Sequence, residues 1–502
     1  MTETLLLALD QGTTSTRAMV FAMNGQVLAQ ASRPLHQSYP ADGWVEHDAE
    51  QIFRHSVEVM NEAVQASGRP LGHFAALGIA NQRETTVVWD RVSGRPIHPA
   101  IVWQDRRTAG ACQALIDAGA EARVTAVTGL LLDPYFSATK IAWILDRVDG
   151  ARAAAAGGRL LAGTIDAWLA WKLTHGAVHA TDATNASRTL LFDIRAGRWS
   201  EEMADLFAAP LALLPEVRDT AGDFGATAAE ILGASLPIRA MVGDQQGALM
   251  GQGCVVAGQM KATYGTGCFM LLHTGERVPV SASRLLATVA ARVQGRTTYA
   301  LEGALFVAGA AIQWAEQVLG VQGGPRAVEA LAGQARPGHG VTLVPAFTGL
   351  GAPWWDAGAR GALLGLTRDS GPAEIAAAAF DGCALQTRDL IEAMRHDAPE
   401  AFGGEAVLRI DGGMAASDLF RRRLADLTGM PVQISQSVEA TALGAALFAG
   451  VGAGLFPSLQ AAASVAGGKG PIQQPDLAPA AREEAYGLWT EAVGRVRSRG
   501  PG

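Results

Sequence analysis

Residues 5–21 read LLLALDQGTTSTRAMVF. The apolar run from Leu5 to Asp10 predicts a buried strand, the polar turn Gln11-Gly12-Thr13-Thr14-Ser15 follows, and the apolar pattern resumes from Arg17 to Phe21. Asn24-Gly25, the strongest short hairpin signal, then precedes Val27 and Leu28, so the chain starts as a meander of strands. Gly12 permits close backbone approach, and the hydroxyls and amides beside it suit phosphate oxygens. An ordinary polar hairpin accounts for one such turn equally well.

A weaker copy lies half a chain away. Met260 to Tyr264 is apolar, Gly265-Thr266-Gly267 interrupts it, and Cys268 to Leu272 runs on to a turn at Thr274-Gly275. A repeat at that separation predicts a duplicated fold in which two glycine-threonine turns grip a polyphosphate from opposite sides. The P-loop pattern GxxxxGK[ST] is absent. A third glycine pair, Gly412-Gly413, ends the predicted buried strand Leu408 to Ile410 and offers open backbone to a base or ribose.

Helical spacing over Ala138 to Leu145, Ile375 to Leu390, Ala440 to Phe448 and Arg482 to Val496 alternates with strand patterns, which predicts α/β layers. At 502 residues the chain exceeds one core and suits two large domains with a cleft between them. The boundary is placed near Gly251, giving domains 1–251 and 252–502, because the glycine-dense stretch Gly243 to Gly258 suits a hinge. The tail beyond Pro457 shows no chemistry.

A composition 49% hydrophobic and 18% charged, with net charge −8, lacks the basic excess of nucleic-acid binders and points to a small-molecule partner. No apolar run approaches a membrane span and the N-terminal stretch lacks signal-peptide features, so a cytoplasmic protein is expected. Cys112, Cys254, Cys268 and Cys383 include no CxxC pair and are expected to be reduced packing residues.

The three glycine elements, in this order, resemble the actin-like (ribonuclease H-like) ATPase superfamily. More narrowly, Tyr135 to Trp143 and Gly361 to Leu366, with the helix through Phe380-Asp381, are similar to segments of the FGGY family of carbohydrate kinases. The segments NQRETT (81–86), DPYF (133–136), TNASRT (184–189), GDQQ (243–246), YGTGCF (264–269), PAFTGLGAP (345–353) and TALGAA (441–446) resemble its glycerol-phosphorylating members. The likeness covers nearly all but the tail and implies ATP, Mg2+ and glycerol as reactants, with a homo-dimer or homo-tetramer as assembly.

Residue by residue, the resemblance implies Asp244 as general base, Gln245 beside it on another hydroxyl, and Asp10 near the magnesium through water. Arg83 and Glu84 complement hydroxyls that both donate and accept, since one only donates and the other only accepts. Taken as an arbitrary dipeptide, that pair would be an exposed ion pair. Trp103, Tyr135 and Phe269 would flank the substrate carbons. Thr13, Thr14, Ser15 and Arg17 would contact phosphates from the first domain, and Thr266, Gly267, Gly309 and Gln313 the nucleotide from the second, with Gly413 at the adenosine. Ser417 stands where this branch has asparagine, which alters the adenine contacts. The Gly-Gly-Thr-Arg loop that binds fructose bisphosphate in some relatives is replaced by ILGASLPIRA (231–240), so that control is not expected. The sequon Asn185-Ala186-Ser187 lies inside a family motif and is not expected to carry glycan.

The competing enzyme is a kinase for a ketose such as xylulose or ribulose. From another class, an actin-like or heat-shock-like nucleotide switch would need a filament surface or peptide module, and neither is visible. A non-catalytic member should have lost Asp10 or Asp244, and both are present.

Overall fold

The computed structural model describes residues 4–402, 406–435, 439–466 and 469–498. Met1 to Glu3, part of the N-terminal stretch considered above, lie outside them. The first half builds a sheet from β1 (Leu5–Gln11), β2 (Ser15–Ala22), β3 (Val27–Pro34), β4 (Phe74–Asn81) and β5 (Ile238–Gly243) in the order β3-β2-β1-β4-β5. The expected meander β1-β2-β3 is antiparallel, with Gly25 at φ +81° in its turn, and β4 and β5 add in parallel.

The second half uses β6 (Met260–Tyr264), β7 (Cys268–Gly275), β8 (Leu286–Val293), β9 (Arg296–Leu305), β10 (Leu408–Asp411), β11 (Val432–Ser435) and β12 (Lys469–Gln473). Their order is β8-β9-β7-β6-β10-β11-β12, so β9-β7-β6-β10-β11 repeats the first sheet, including its antiparallel and parallel pairings. The duplication read from the two glycine-threonine turns is therefore present. The tail holds more structure than its composition suggests, since β12 pairs with β11 and a helix precedes it.

Six helices bear on the site: α1 (Asp244–Gly251), α2 (Gly309–Val318), α3 (Pro372–Asp397), α4 (Asp418–Thr428), α5 (Ala440–Gly452) and α6 (Pro479–Val496). The fully buried Trp489 of α6 and Tyr486 bond to the buried Asp389 of α3, which also accepts from Trp354. α1 follows the fifth strand of the first sheet and α5 follows the matching strand of the second. The two helices cross, and α5 lays Ala442, Ala445, Ala446 and Phe448 on the first sheet's Leu6, Ala8 and Ala80.

Within the stretch Gly243 to Gly258, Gly247 and Gly251 serve that crossing. A Cβ on Gly251 would lie 1.8 Å from the Ala440 carbonyl oxygen, and one on Gly444 would lie 1.8 Å from that of Gly247. Backbones this close leave no room for a methyl group. Gly444→Ala is predicted to cost about 1–3 kcal/mol or more through overpacking, read as a lowered urea midpoint; an unchanged midpoint would contradict the packing argument.

Between β4 and β5 the chain makes an excursion of helices and three short strands (Thr86–Asp90, Ala100–Ile101 and Leu160–Thr164), which form a small four-stranded sheet with Glu46–His47 from the connection between β3 and β4. That excursion brings Arg83, Glu84, Trp103, Tyr135 and Arg188 over the ends of the first sheet's central strands. Ligand crevices form at such strand ends in α/β sheets.

Candidate active site

The first glycine-threonine turn is closed by the Gly12 N–H donating to the Ser15 carbonyl at 2.9 Å. Trp103 Nε1 donates to Thr13 Oγ1 at 2.9 Å, which ties this turn to the excursion. Arg17, on β2, pairs at 2.6 Å with Glu439 just before α5. The second turn sits against α2: the Ala308 and Ala310 N–H groups donate to the Thr266 carbonyl at 2.8 and 3.1 Å. A Cβ on Gly267 would fall 2.4 Å from Leu305 O and one on Gly309 2.6 Å from Gly265 O, so both glycines are required by contact. Gln313 lies one turn along α2 and is exposed. Gly413 faces open space, whereas Ser417 is engaged, its hydroxyl accepting from the Phe420 N–H at 3.0 Å as the cap of α4.

Arg83 and Glu84 are not an exposed pair; both are buried and each binds elsewhere. Arg83 Nη1 donates to Glu302 Oε2 at 2.5 Å, Arg188 Nη2 to Glu302 Oε1 at 2.8 Å, and Arg188 Nε to Glu84 Oε1 at 2.6 Å. Two guanidiniums and two carboxylates thus alternate in one buried quartet that joins the excursion to β9. Burial works against the Glu302 carboxylate, but Arg188 and Arg83 outweigh it and hold its pKa below the ordinary value. For Glu84, burial prevails over Arg188 and Arg83, so its pKa is raised. Glu84 also holds φ +61°, and its carbonyl accepts from Thr86 Oγ1 at 2.9 Å and Ser137 Oγ at 3.0 Å. These bonds hold a non-glycine residue in the left-handed region, at a cost on the order of 1–3 kcal/mol.

Trp103 meets Tyr135 edge-on with centroids 5.6 Å apart and Phe269 at 6.1 Å, and the Arg83 guanidinium lies 6.0 Å over the Phe269 ring. The predicted aromatic wall is therefore assembled. Burial and the nearby Glu84 push the Tyr135 phenol far up, so it stays a neutral donor.

Asp244 opens α1 and is the least buried carboxylate here, with 29% of its side chain accessible. Arg83 Nε lies 3.1 Å from its Oδ1. The approach needs Gly243, where a Cβ would sit 2.7 Å from Arg83 Cδ. Next to it, Gln245 Oε1 accepts from Lys261 Nζ. Asp10 ends β1 across from Asp244, and burial together with the Asp244 charge pushes its carboxyl up to about 7, against the pull of Arg17.

An acid whose folded pKa exceeds its ordinary 3.8 binds its proton more tightly when folded. Its stabilising contribution is complete below about pH 4 and disappears as the pH rises through about 7. The ligand-free protein should lose melting temperature from pH 5 to pH 8, and Asp10→Asn should flatten that decline. Parallel curves for the two proteins would refute the raised Asp10 pKa.

Arg188, Glu302 and Lys261 were not assigned from sequence, although Glu302 and Lys261 each interrupt an apolar strand. A lone charge in such a run signals a buried partner. Arg188 sits in TNASRT, whose other members form a support: Asp182 Oδ1 accepts from the Asn185 N–H and from Asn185 Nδ2 at 3.0 and 2.9 Å, and Asn81 exchanges amide bonds with Asn185 at 3.0 Å. Asn185 is fully buried, which excludes it as a glycan acceptor in the folded chain. The four cysteines are free and buried, as expected. Among the described residues no helix is long and apolar enough to cross a membrane.

Residues 5–251 match the N-terminal domain of the FGGY family of carbohydrate kinases and residues 260–453 its C-terminal domain. The glycerol kinase of Ectopseudomonas mendocina is 52% identical over 495 residues, covering 99% of each chain. That of Alcanivorax borkumensis is 52% identical over 491 residues, covering 98% of each. The crystal structure of Plasmodium falciparum glycerol kinase with ADP superposes with a TM-score of 0.92 at 31% identity, covering 98% of each chain. The architecture is the duplicated actin-like one that the paired turns implied.

Proposed function

This chain belongs to the FGGY family of carbohydrate kinases, and we propose that it transfers the γ-phosphoryl group of ATP to glycerol, giving sn-glycerol 3-phosphate and ADP. The reading rests most heavily on the convergence of Arg83, Glu84 and Asp244 beneath Trp103, Tyr135 and Phe269. Donors and acceptors for three hydroxyls meet an apolar cover for a short carbon chain. A site built this way rejects analogues that leave its polar groups unpaired.

In this reading, Arg83 donates to the substrate hydroxyls and Glu84 accepts from them. Asp244 receives the proton of the terminal hydroxyl as that oxygen attacks. An ordinary carboxylate suffices, because the hydroxyl loses its proton late in a loose transition state. Thr13, Thr14 and Ser15 hold the phosphates from one side and Thr266 and Gly267 from the other, while Gly309, Gln313 and Gly413 receive the nucleoside. Arg17 exchanges Glu439 for a phosphate oxygen. With its hydroxyl capping α4, Ser417 meets the adenine side through backbone.

The carboxylates fit a magnesium ion. Asp10 is held protonated to about 7 by burial and by Asp244, and a cation beside both, reached through water, relieves that conflict. The ion would supply neutralising charge to the phosphate oxygens. The reaction is assigned to the cytoplasm, the assembly to a dimer or tetramer, which light scattering tests, and the domain division to Gly251.

The deciding experiment measures ADP release with Mg-ATP against glycerol, dihydroxyacetone, xylulose, ribulose and no acceptor. Glycerol should give the highest kcat/KM. A preference for a ketose would overturn the substrate, and equal turnover without acceptor would overturn the kinase.

A further inference from the structure

Lys261 is fully buried on β6, within the apolar run Met260–Tyr264. Among the described residues it forms no ion pair; its ammonium donates to Gln245 Oε1 and, at 3.0 Å, to Thr263 Oγ1. Burial lowers its pKa against the attraction of Asp411 and Asp244, which form no ion pair with it, so the buried ammonium is costly. Stability alone would favour an apolar side chain here, so the position calls for a functional account.

An ammonium has only donors, whereas a primary amide has a donor end and an acceptor end. The Lys261 bond therefore fixes the rotation of the Gln245 amide, with oxygen toward the lysine. We infer that Lys261 is a positioning residue that turns the Gln245 N–H2 group into the cleft, making it a donor to one hydroxyl of the acceptor. The bond also crosses the molecule, from α1 in the first half to the strand that ends at the second glycine-threonine turn. The acceptor and the nucleotide are thereby registered against each other. The inference rests on the reading of Gln245 as an acceptor-binding residue.

A double-mutant cycle tests it, with Lys261→Met, Gln245→Ala and both together. Lys261→Met should raise the glycerol KM roughly 10- to 100-fold, the cost of a mispaired buried group, with kcat within a few-fold and the ATP KM unchanged. Gln245→Ala should do the same, and the double variant should be no worse than the worse single one. Additive losses, or a rise in the ATP KM instead, would overturn the proposal. Lys261→Gln keeps an N–H donor and should stay within about 3-fold of wild type; if Lys261→Met does not fold, a Gln variant as impaired as Gln245→Ala decides against it. Wild type inactive on glycerol would remove the acceptor reading itself, whereas additivity in an active enzyme would remove this inference alone.

Discussion

With Asp244 replaced by asparagine, glycerol-dependent ADP release is expected to fall by roughly 10²- to 10⁴-fold in kcat, the range a positioned general base contributes. Asparagine has the same shape, and its oxygen can still accept from Arg83 Nε, which lies 3.1 Å from Asp244 Oδ1. Glycerol binding should therefore survive with a KM within a few-fold. The substitution removes a proton acceptor and one negative charge. It also removes the charge that adds to burial in raising the Asp10 carboxyl, so fold stability above pH 7 should not drop. Saturation kinetics in ATP and glycerol, with a melting curve on the same sample, separate these effects. A kcat within 10-fold of wild type (roughly 1.4 kcal/mol) would place the base elsewhere.

Glu302→Ala is expected to have the largest effect on stability. Glu302 is inaccessible to solvent and accepts from Arg83 and Arg188, which are nearly so. Removing it leaves two adjacent buried guanidiniums, Arg188 with Glu84 and Arg83 with the partly exposed Asp244 as remaining acidic partners. Breaking a buried ionic group in this way costs about 3–5 kcal/mol. Glu302→Gln keeps the shape and one acceptor and should cost less, about 1–3 kcal/mol. Urea unfolding followed by fluorescence reads both. Since Arg83 is released, the glycerol KM should rise in either variant. An alanine variant within about 1 kcal/mol of wild type would show that the quartet contributes little, as many ion pairs do.

Much of the fold was legible in the linear pattern. The apolar run of β1, the Gly12 turn and the Asn24-Gly25 hairpin are local, and the structure keeps each of them. The copy at Met260 to Leu272 disclosed the duplication because each half repeats the same strand-turn-strand chemistry. The resemblance, rather than residue type, singled out Trp103, Tyr135 and Phe269, which the structure brings into contact.

Other features could not be read. Glycine in sequence does not say whether it gives freedom or proximity, and only the contact of α1 with α5 shows that Gly247 and Gly251 allow close approach. Taken as an arbitrary dipeptide, Arg83 and Glu84 would pair with each other at the surface, yet Arg83 binds Glu302, 219 positions away, and Glu84 binds Arg188, 104 positions away. That the Ser417 hydroxyl caps α4 could not be read from its place after Gly413.

By itself the sequence determined the duplicated α/β plan, the two glycine-threonine turns and the donor or acceptor character of the residues around them, because periodicity, turn propensity and side-chain chemistry belong to short stretches of chain. Only the tertiary structure decided which charges neutralise each other, that Lys261 faces Gln245, and that burial beside Asp244 raises Asp10. Those outcomes depend on distances between residues remote in sequence and on the exclusion of water, and neither quantity exists until the chain has folded.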